Sequence, residues 1–263
     1  MVNPIPERQA RLAALIAKPF AHRGLHGRGI VENSRAAFEA AIAAGHGIEL
    51  DVQVSGDGQA LVIHDYQLER LTEGVGPICG MVSAELEKIR LRGSGETIPT
   101  LAEVLGLIAG RAPLLIEVKS PGRRVAALSR AVGDALHAYI GPVAVMSFNP
   151  EIGRWFAANA PDVLRGLVVT EAGRRWRGTL TRYLALWRSR AEFLAYDVRD
   201  LPSRFASRQR AQGLPVLTWT CRSDADRARA ALHADQIIYE KGSSVGAPPD
   251  PKTGPHLSGQ RSS

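Results

Sequence analysis

The sequence predicts a (β/α)8 barrel with a short excursion after its second strand. Short apolar, β-rich runs alternate with alanine- and leucine-rich stretches of helical period, which implies βαβ units and a parallel sheet. Grouped by their connections, these runs make eight units, the number that closes a barrel. The chain has 263 residues, and a single barrel domain typically needs about 250. The competing architecture, a doubly wound open sheet, usually announces itself by a glycine-rich turn after strand one, and no GxGxxG stands there.

Residues 1–19 read as an N-terminal helical segment. Within it, residues 8–18 form a short basic helix with Leu12, Leu15 and Ile16 on one side. Packing against the bottom of a barrel is the expectation for that side, with weak contact to a membrane surface as the alternative. The apolar run is too short for a signal-peptide core or a membrane span.

The barrel domain is expected over 20–241. Its strands are predicted at Phe20–His22, Gly47–Val54, Ala60–His64, Leu114–Glu117, Val143–Ser147, Leu164–Val169, Phe193–Asp197, Pro215–Trp219 and Gln236–Tyr239. The second and third are too close for a crossover, and Ser55-Gly56-Asp57-Gly58 between them is turn chemistry, so they count as one unit with a hairpin-like extension. Helices are predicted over 34–44, with Ser34 as N-cap and Gly45 as stop, and over 100–109, where Thr100 is followed three positions on by Glu103. Further helices are expected at 122–139, 150–158, 179–191, 202–211 and 223–233. Residues 66–98 are irregular and form the excursion. Residues 242–263, including His256, offer little to bury and are expected to be a disordered tail.

Hydrophobic residues make up 45% and charged residues 22%, a globular composition that excludes disorder of the whole chain. The net charge of +7 suits a phosphate-bearing substrate, a nucleic acid or an anionic membrane surface. No C2H2 spacing, RNP motif or dense basic block is present, so no nucleic-acid partner is expected. Cys79 and Cys221 are far apart and in no metal-type spacing; two unpaired thiols in a reducing compartment, hence a cytoplasmic protein, is the expectation.

Polar residues gather at the C-terminal ends of successive strands, where the sites of such barrels form. These are His22-Arg23, Glu49 with Asp51, His64-Asp65, and Glu117 with Lys119. Glu49 and Asp51 are two apart on an extended segment, so they point the same way and repel unless a cation or a proton lies between them. Glu117 offers a third oxygen ligand. Such a set suits one divalent metal, Mg2+ or Ca2+; the alternative is buried ion pairing with Arg23 and Lys119. His22 and His64 are candidate proton carriers. Arg23 offers a planar fork and Lys119 a point charge for phosphate oxygens. Glu32 is placed to orient His22 or touch the metal shell, and Asn33 either donates to a ligand oxygen or caps the next helix. Phe148 is a candidate wall of the substrate channel and Trp219 an apolar wall above a bound alcohol, with core packing as the equal alternative for both. The Ser147 hydroxyl is a further group that could face the cavity, and Asp197 contacts a substrate hydroxyl or caps a turn. His26 is read as loop material and His46 as structural.

The same residues carry a family resemblance. AHRG at 21–24, ENS at 32–34, ELDVQVSGDGQALVIHD at 49–65 and EVK at 117–119, followed more weakly by SF at 147–148 and TWT at 218–220, resemble the glycerophosphodiester phosphodiesterases. The resemblance implies a TIM-barrel fold with a small insertion after strand two. It implies hydrolysis of a small glycerophosphodiester to glycerol 3-phosphate and an alcohol, using Mg2+ or Ca2+. By that resemblance His22 and His64 are the general acid and base, Glu49, Asp51 and Glu117 the metal ligands, and Arg23 and Lys119 phosphate contacts with Glu32 close by. It further implies attack by the neighbouring glycerol hydroxyl and opening of the cyclic phosphate by water. Two features depart from the family. Strand eight ends in Ile237-Ile238-Tyr239-Glu240-Lys241 rather than an aspartate-containing run followed by proline, which leaves Glu240 as a partial replacement. The excursion is also short, which implies an open mouth and a broad choice of leaving alcohol. Two alternatives remain on the sequence: lysophospholipase D-type hydrolysis at the same site, and a catalytically silent barrel that binds a phosphate ligand.

Overall fold

A computed structural model describes residues 4–27, 29–120, 122–172 and 177–240. The strands are β1 (Phe20–Ala21), β2 (Gly47–Val54), β3 (Ala60–Val62), β4 (Leu114–Val118), β5 (Val143–Ser147), β6 (Leu164–Val169), β7 (Phe193–Asp197), β8 (Val216–Cys221) and β9 (Gln236–Tyr239). Strand β1 pairs in parallel with both β2 and β9, and parallel pairing continues through β4 to β8, so eight strands close a barrel. Strand β3 lies outside that circle, antiparallel to β2, as the turn residues at 55–58 predict.

The helices are α1 (Pro4–Leu15), α2 (Arg35–Ala43), α3 (Ser83–Leu86), α4 (Leu101–Ile108), α5 (Ala126–Leu136), α6 (Pro150–Asn159), α7 (Arg177–Ser189), α8 (Arg204–Ala211) and α9 (Asp224–His233). Polar side chains start several of them. Ser34 accepts from the Ala37 amide, Thr100 from Glu103 and Ser203 from Ala206, and Ser223 with Asp226 forms a reciprocal capping box. Among the described residues no helix is long and apolar enough to cross a membrane.

Strand alternation separates two cores. Ile48, Leu50, Val52, Leu114, Ile116 and Val118 face outward against the helices. Phe20, Leu115, Ala144, Met146, Val168, Phe193, Ala195, Leu217 and Ile238 fill the barrel itself. Helix α1 closes the floor: Leu15 is fully buried, Leu12 and Ile16 pack against the interior cluster, and the Ile16 carbonyl accepts from Gln236 Nε2 at 2.9 Å. That side of the helix is therefore occupied by the barrel, which leaves it no membrane to meet. The excursion builds a small core of its own from Leu61, Ile63, Leu68, Leu71, Ile78, Leu86, Leu91 and Ile98.

Gly166 on β6 is required by close approach. A Cβ there would stand 2.3 Å from Phe193 Cε2, inside the barrel. Gly166→Ala is expected to destabilise the protein by about 1–3 kcal/mol through overpacking, read as a lower urea midpoint with the slope unchanged.

Several boundaries move from their sequence positions. The first strand ends at Ala21 rather than His22, because Arg23 takes a left-handed φ of 57° and turns the chain. The third ends at Val62 rather than His64, β4 extends to Val118, β8 runs from Val216 to Cys221, and the helix predicted at 122–139 occupies 126–136. The helix predicted at 8–18 occupies 4–15. The predicted tail over 242–263, with His256, lies outside the described residues.

Candidate active site

Because Ile48, Leu50 and Val52 face the helices, Glu49 and Asp51 turn into the barrel; the same parity turns Glu117 inward on β4. The register sets Asp51 opposite Glu117. All three carboxylates are buried, and each offers an oxygen within 4.8 Å of the others.

His22 follows β1. Its Nε2 is 3.9 Å from Glu49 Oε2 and its Nδ1 is 2.7 Å from Glu240 Oε1. Glu240 is gripped from the other side by Arg222, whose Nε and Nη2 donate at 2.6 and 2.8 Å. His64 follows β3, with Nδ1 2.6 Å from Asp65 Oδ1; Asp65 is in turn bonded by Arg70. Gln53 Nε2 donates to the His64 carbonyl at 2.7 Å and holds that backbone over β2. Each imidazole thus has an acid behind it and an arginine behind the acid. Both histidines line one cavity of about 520 Å3 at the barrel mouth, with Arg23, Glu49, Glu117, Lys119, Phe148 and Trp219.

Lys119 Nζ bridges Glu117 at 2.7 Å and Asp51 at 3.0 Å. Arg23 Nε is 3.3 Å from Asp51, and its Nη1 donates to Glu32 at 2.8 Å. The left-handed turn at Arg23 aims its backbone N–H at Glu49 Oε2, 3.0 Å away. Asn33 Nδ2 donates to Asp51 at 3.0 Å, and Ser34, not Asn33, caps α2.

The ion-pair alternative is therefore present in part, but it does not complete the cluster. Glu49 Oε1 is buried with no hydrogen-bond partner, and Asp51 Oδ1 meets Lys119 outside hydrogen-bond geometry. Buried polar atoms are nearly always satisfied. An unpartnered buried oxygen on Glu49, in an all-oxygen set, fits a hard divalent cation.

Electrostatics point the same way. Burial, with Asp51 alongside, pushes the Glu49 carboxyl up to about 7. Burial would raise Asp51 as well, but Lys119, Arg23 and the two histidines hold it down at about 2. For His22, burial opposes the charge, yet Glu49 and Glu240 outweigh it and raise the imidazole above 6.5. His64 goes the other way: burial, Lys119 and Arg23 lower it despite Asp51 and Asp65. Glu49 must lose its proton to ligate a cation, so the apparent affinity of this cluster for a divalent cation is expected to rise with pH through about 7, with protons released. Calorimetry in buffers of different ionisation enthalpy reads that release directly; binding independent of pH between 6 and 8 would contradict it.

The remaining residues separate. Glu32 bonds Arg23 and Arg70 and does not reach His22; the acid on His22 is Glu240. Trp219 Nε1 donates to the Ala195 carbonyl at 2.8 Å, and its ring meets Phe148 edge-on at 5.5 Å, so the two form one wall. Ser147 Oγ donates to the Val118 carbonyl at 2.7 Å. Asp197 lines the cavity but is taken up by Arg199. His46 bonds Tyr239 in a structural contact. The residues sequence reasoning passed over are the arginines Arg70 and Arg222. Arg222 is 18 positions from Glu240, and Arg70 is 38 from Glu32 and five from Asp65; only a count of uncompensated acids near the histidines would have raised them.

The sequence model of the glycerophosphoryl diester phosphodiesterase family matches residues 22–241. Bacillus subtilis YhdW is 30% identical over 231 residues, covering 84% of this chain and 93% of that one. A glycerophosphodiester phosphodiesterase of Caldanaerobacter subterraneus is 42% identical over 108 residues, a match that spans 38% of this chain and 44% of the relative. Among solved structures, an Oleispira antarctica phosphodiesterase in complex with its product sn-glycerol-3-phosphate superposes with a TM-score of 0.76 at 25% identity, covering 86% of this chain and 94% of that one. A glycerophosphodiester phosphodiesterase from Agrobacterium tumefaciens gives 0.65 at 28% identity, covering 85% and 96%. A family match over residues 22–241, together with a relative aligned along nearly its full length, places this chain in the glycerophosphoryl diester phosphodiesterase family.

Proposed function

We propose that this protein hydrolyses glycerophosphodiesters to glycerol 3-phosphate and an alcohol, with His22 and His64 as proton carriers. Glu49, Asp51 and Glu117 would hold one divalent cation, Mg2+ or Ca2+. The observation that supports this most is the cluster of three buried carboxylates, with Glu49 Oε1 unpartnered, beside two imidazoles that share one cavity with Glu49 and Glu117. When bound, the cation supplies positive charge to the non-bridging phosphate oxygens. Arg23 and Lys119 add fixed positive charge on the same side, where the phosphoryl group gathers negative charge in the transition state. His64, whose surroundings favour the free base, accepts the proton of the attacking glycerol hydroxyl. His22, whose surroundings favour the charged form, donates to the departing alcohol. Opening of the cyclic phosphate reverses the two roles.

These assignments fix the sign of the pH profile. Activity falls below 6.5, as His64 gains a proton, and falls again above 6.5, as His22 loses its own. Glu240→Gln removes the carboxylate behind His22 and is expected to shift the alkaline limb downward while leaving the acid limb in place. A profile in which neither limb moves would remove Glu240 from this role.

A second reading has its own observation. Beside the first cavity lies a larger groove of about 950 Å3 that shares His64, Glu117, Lys119 and Phe148 and continues past Tyr66 and Pro150, with Asp65, Glu69, Arg70 and Arg123 among its polar lining. The apolar surface of Tyr66, Phe148 and Pro150 within it offers a place for an acyl chain, which favours lysophospholipids as additional substrates. Release of glycerol 3-phosphate from glycerophosphocholine, set against choline release from lysophosphatidylcholine, separates the two. Turnover of neither, with metal supplied, would instead favour a silent phosphate-binding barrel.

A further inference from the structure

Helix α7 carries an apolar row that nothing among the described residues covers. Its inner side, through Tyr183 and Leu186, packs against the cluster that contains Leu194 and Phe205. Its outer side presents Leu180, Leu184 and Trp187, which are 67%, 55% and 75% exposed. Spacings of four and three residues align these side chains along one helical face, in a row about 10 Å long at about 1.5 Å per residue. Other exposed large apolar residues, such as Val75, Ile140 and Leu232, are scattered over the excursion, a loop and α9.

The charge around this row is one-sided. On one flank α6 presents Arg154, which shares Glu151 with Arg188 of α7. On the other flank α8 packs through Phe205, whose ring lies 4.9 Å from that of Tyr183, and presents Arg204 and Arg208. Neither of these two has an ion pair among the described residues. Of the eight arginines in 177–211, Arg182, Arg188, Arg199 and Arg210 pair with Glu171, Glu151, Asp197 and Asp235, which leaves Arg204 and Arg208 as uncompensated charge beside the row, in a chain whose net charge is +7. A second copy of this chain would bring the same arginines to the contact and repel. Lipid phosphates would instead pair with them, while leucines and a tryptophan enter the headgroup–acyl boundary.

We propose that the α7 face seats the protein on the surface of anionic phospholipid bilayers. Helix α7 has 13 residues and lies along the barrel wall, so the contact is peripheral and leaves the mouth at the side, open to substrate. The inference does not depend on the proposed reaction, because hydrolysis of a soluble glycerophosphodiester can be followed separately.

The test is co-flotation of the full chain with vesicles of phosphatidylcholine alone and of phosphatidylcholine with phosphatidylglycerol in equal parts. Retention is expected on the anionic vesicles, reduced at least about fivefold on the neutral ones and lost at high salt, where surface charge is screened within about 3 Å. The variants L180S/L184S/W187S and R204E/R208E are each expected to lose retention about fivefold or more, with unchanged thermal midpoint and unchanged hydrolysis of the soluble substrate. Absence of wild-type retention, or equal retention by both variants, would overturn the proposal. So would a micromolar dimer that L180S/L184S/W187S converts to monomer, since a second copy would then cover the face.

Discussion

Replacing His22 or His64 with alanine is expected to slow release of glycerol 3-phosphate by about 10²–10⁴-fold, the usual worth of a positioned proton carrier. The two losses should not multiply. Each imidazole serves one end of the same phosphoryl transfer, so the double variant is expected to be little slower than the worse single one. Folding should survive both changes. His22 and His64 sit at the mouth, against polar partners rather than in the packed interior, and circular dichroism with a thermal scan checks this. Steady-state rates on glycerophosphocholine are the measurement, and full activity in both single variants would contradict the assignment.

The second large effect concerns Glu49. Its carboxyl is raised from 4.5 to about 7 by burial beside Asp51. A raised acid means that the folded state holds the proton more tightly than the unfolded chain. Stability of the metal-free protein therefore falls as pH rises from about 4.5 through about 7, and the deficit is fully present above that. Glu49→Gln keeps an oxygen for the Arg23 amide and removes the charge. At pH 8 the metal-free variant is expected to be more stable than wild type by on the order of 1–3 kcal/mol. Its hydrolysis should fall by at least about 10³-fold, a loss comparable to removing a major electrostatic contact at the reacting centre. Added Mg2+ or Ca2+ should raise the thermal midpoint of wild type and leave that of the variant unmoved. This opposition of stability and activity is what a ligand site produces and a purely structural ion-pair cluster does not. In the latter case, Glu49→Gln would break the cluster, lower stability, and leave the response to metal unchanged.

Much of this was legible in the sequence because it is local. Strand period, turn residues at 55–58 and capping side chains such as Ser34 and Thr100 act within a few residues, and the eight-unit count closed as a barrel. The candidate ligands and histidines were also legible, since parity along a strand and position at its end decide which groups share a cavity. What was not legible is what arrives from far along the chain. Glu240 meets His22 across 218 positions. Arg222 reaches Glu240 across 18 positions and Arg70 reaches Glu32 across 38. Strand ends moved where the backbone turns to deliver a group to the site, as at Arg23. The row Leu180, Leu184, Trp187 has helical period, but period alone does not say which side of α7 the barrel takes.

In the proposed site, oxygens from neighbouring strands hold one cation, with an imidazole on each side of a bound phosphorus. A crystal structure with Mn2+ and glycerol 3-phosphate, with anomalous scattering recorded for the metal, tests it most directly. The expected result is a single anomalous peak within about 2.0–2.6 Å of oxygens from Glu49, Asp51 and Glu117, and a phosphate flanked by His22 and His64. A peak held by other residues, or a phosphate that only one of the two histidines can reach, would contradict it.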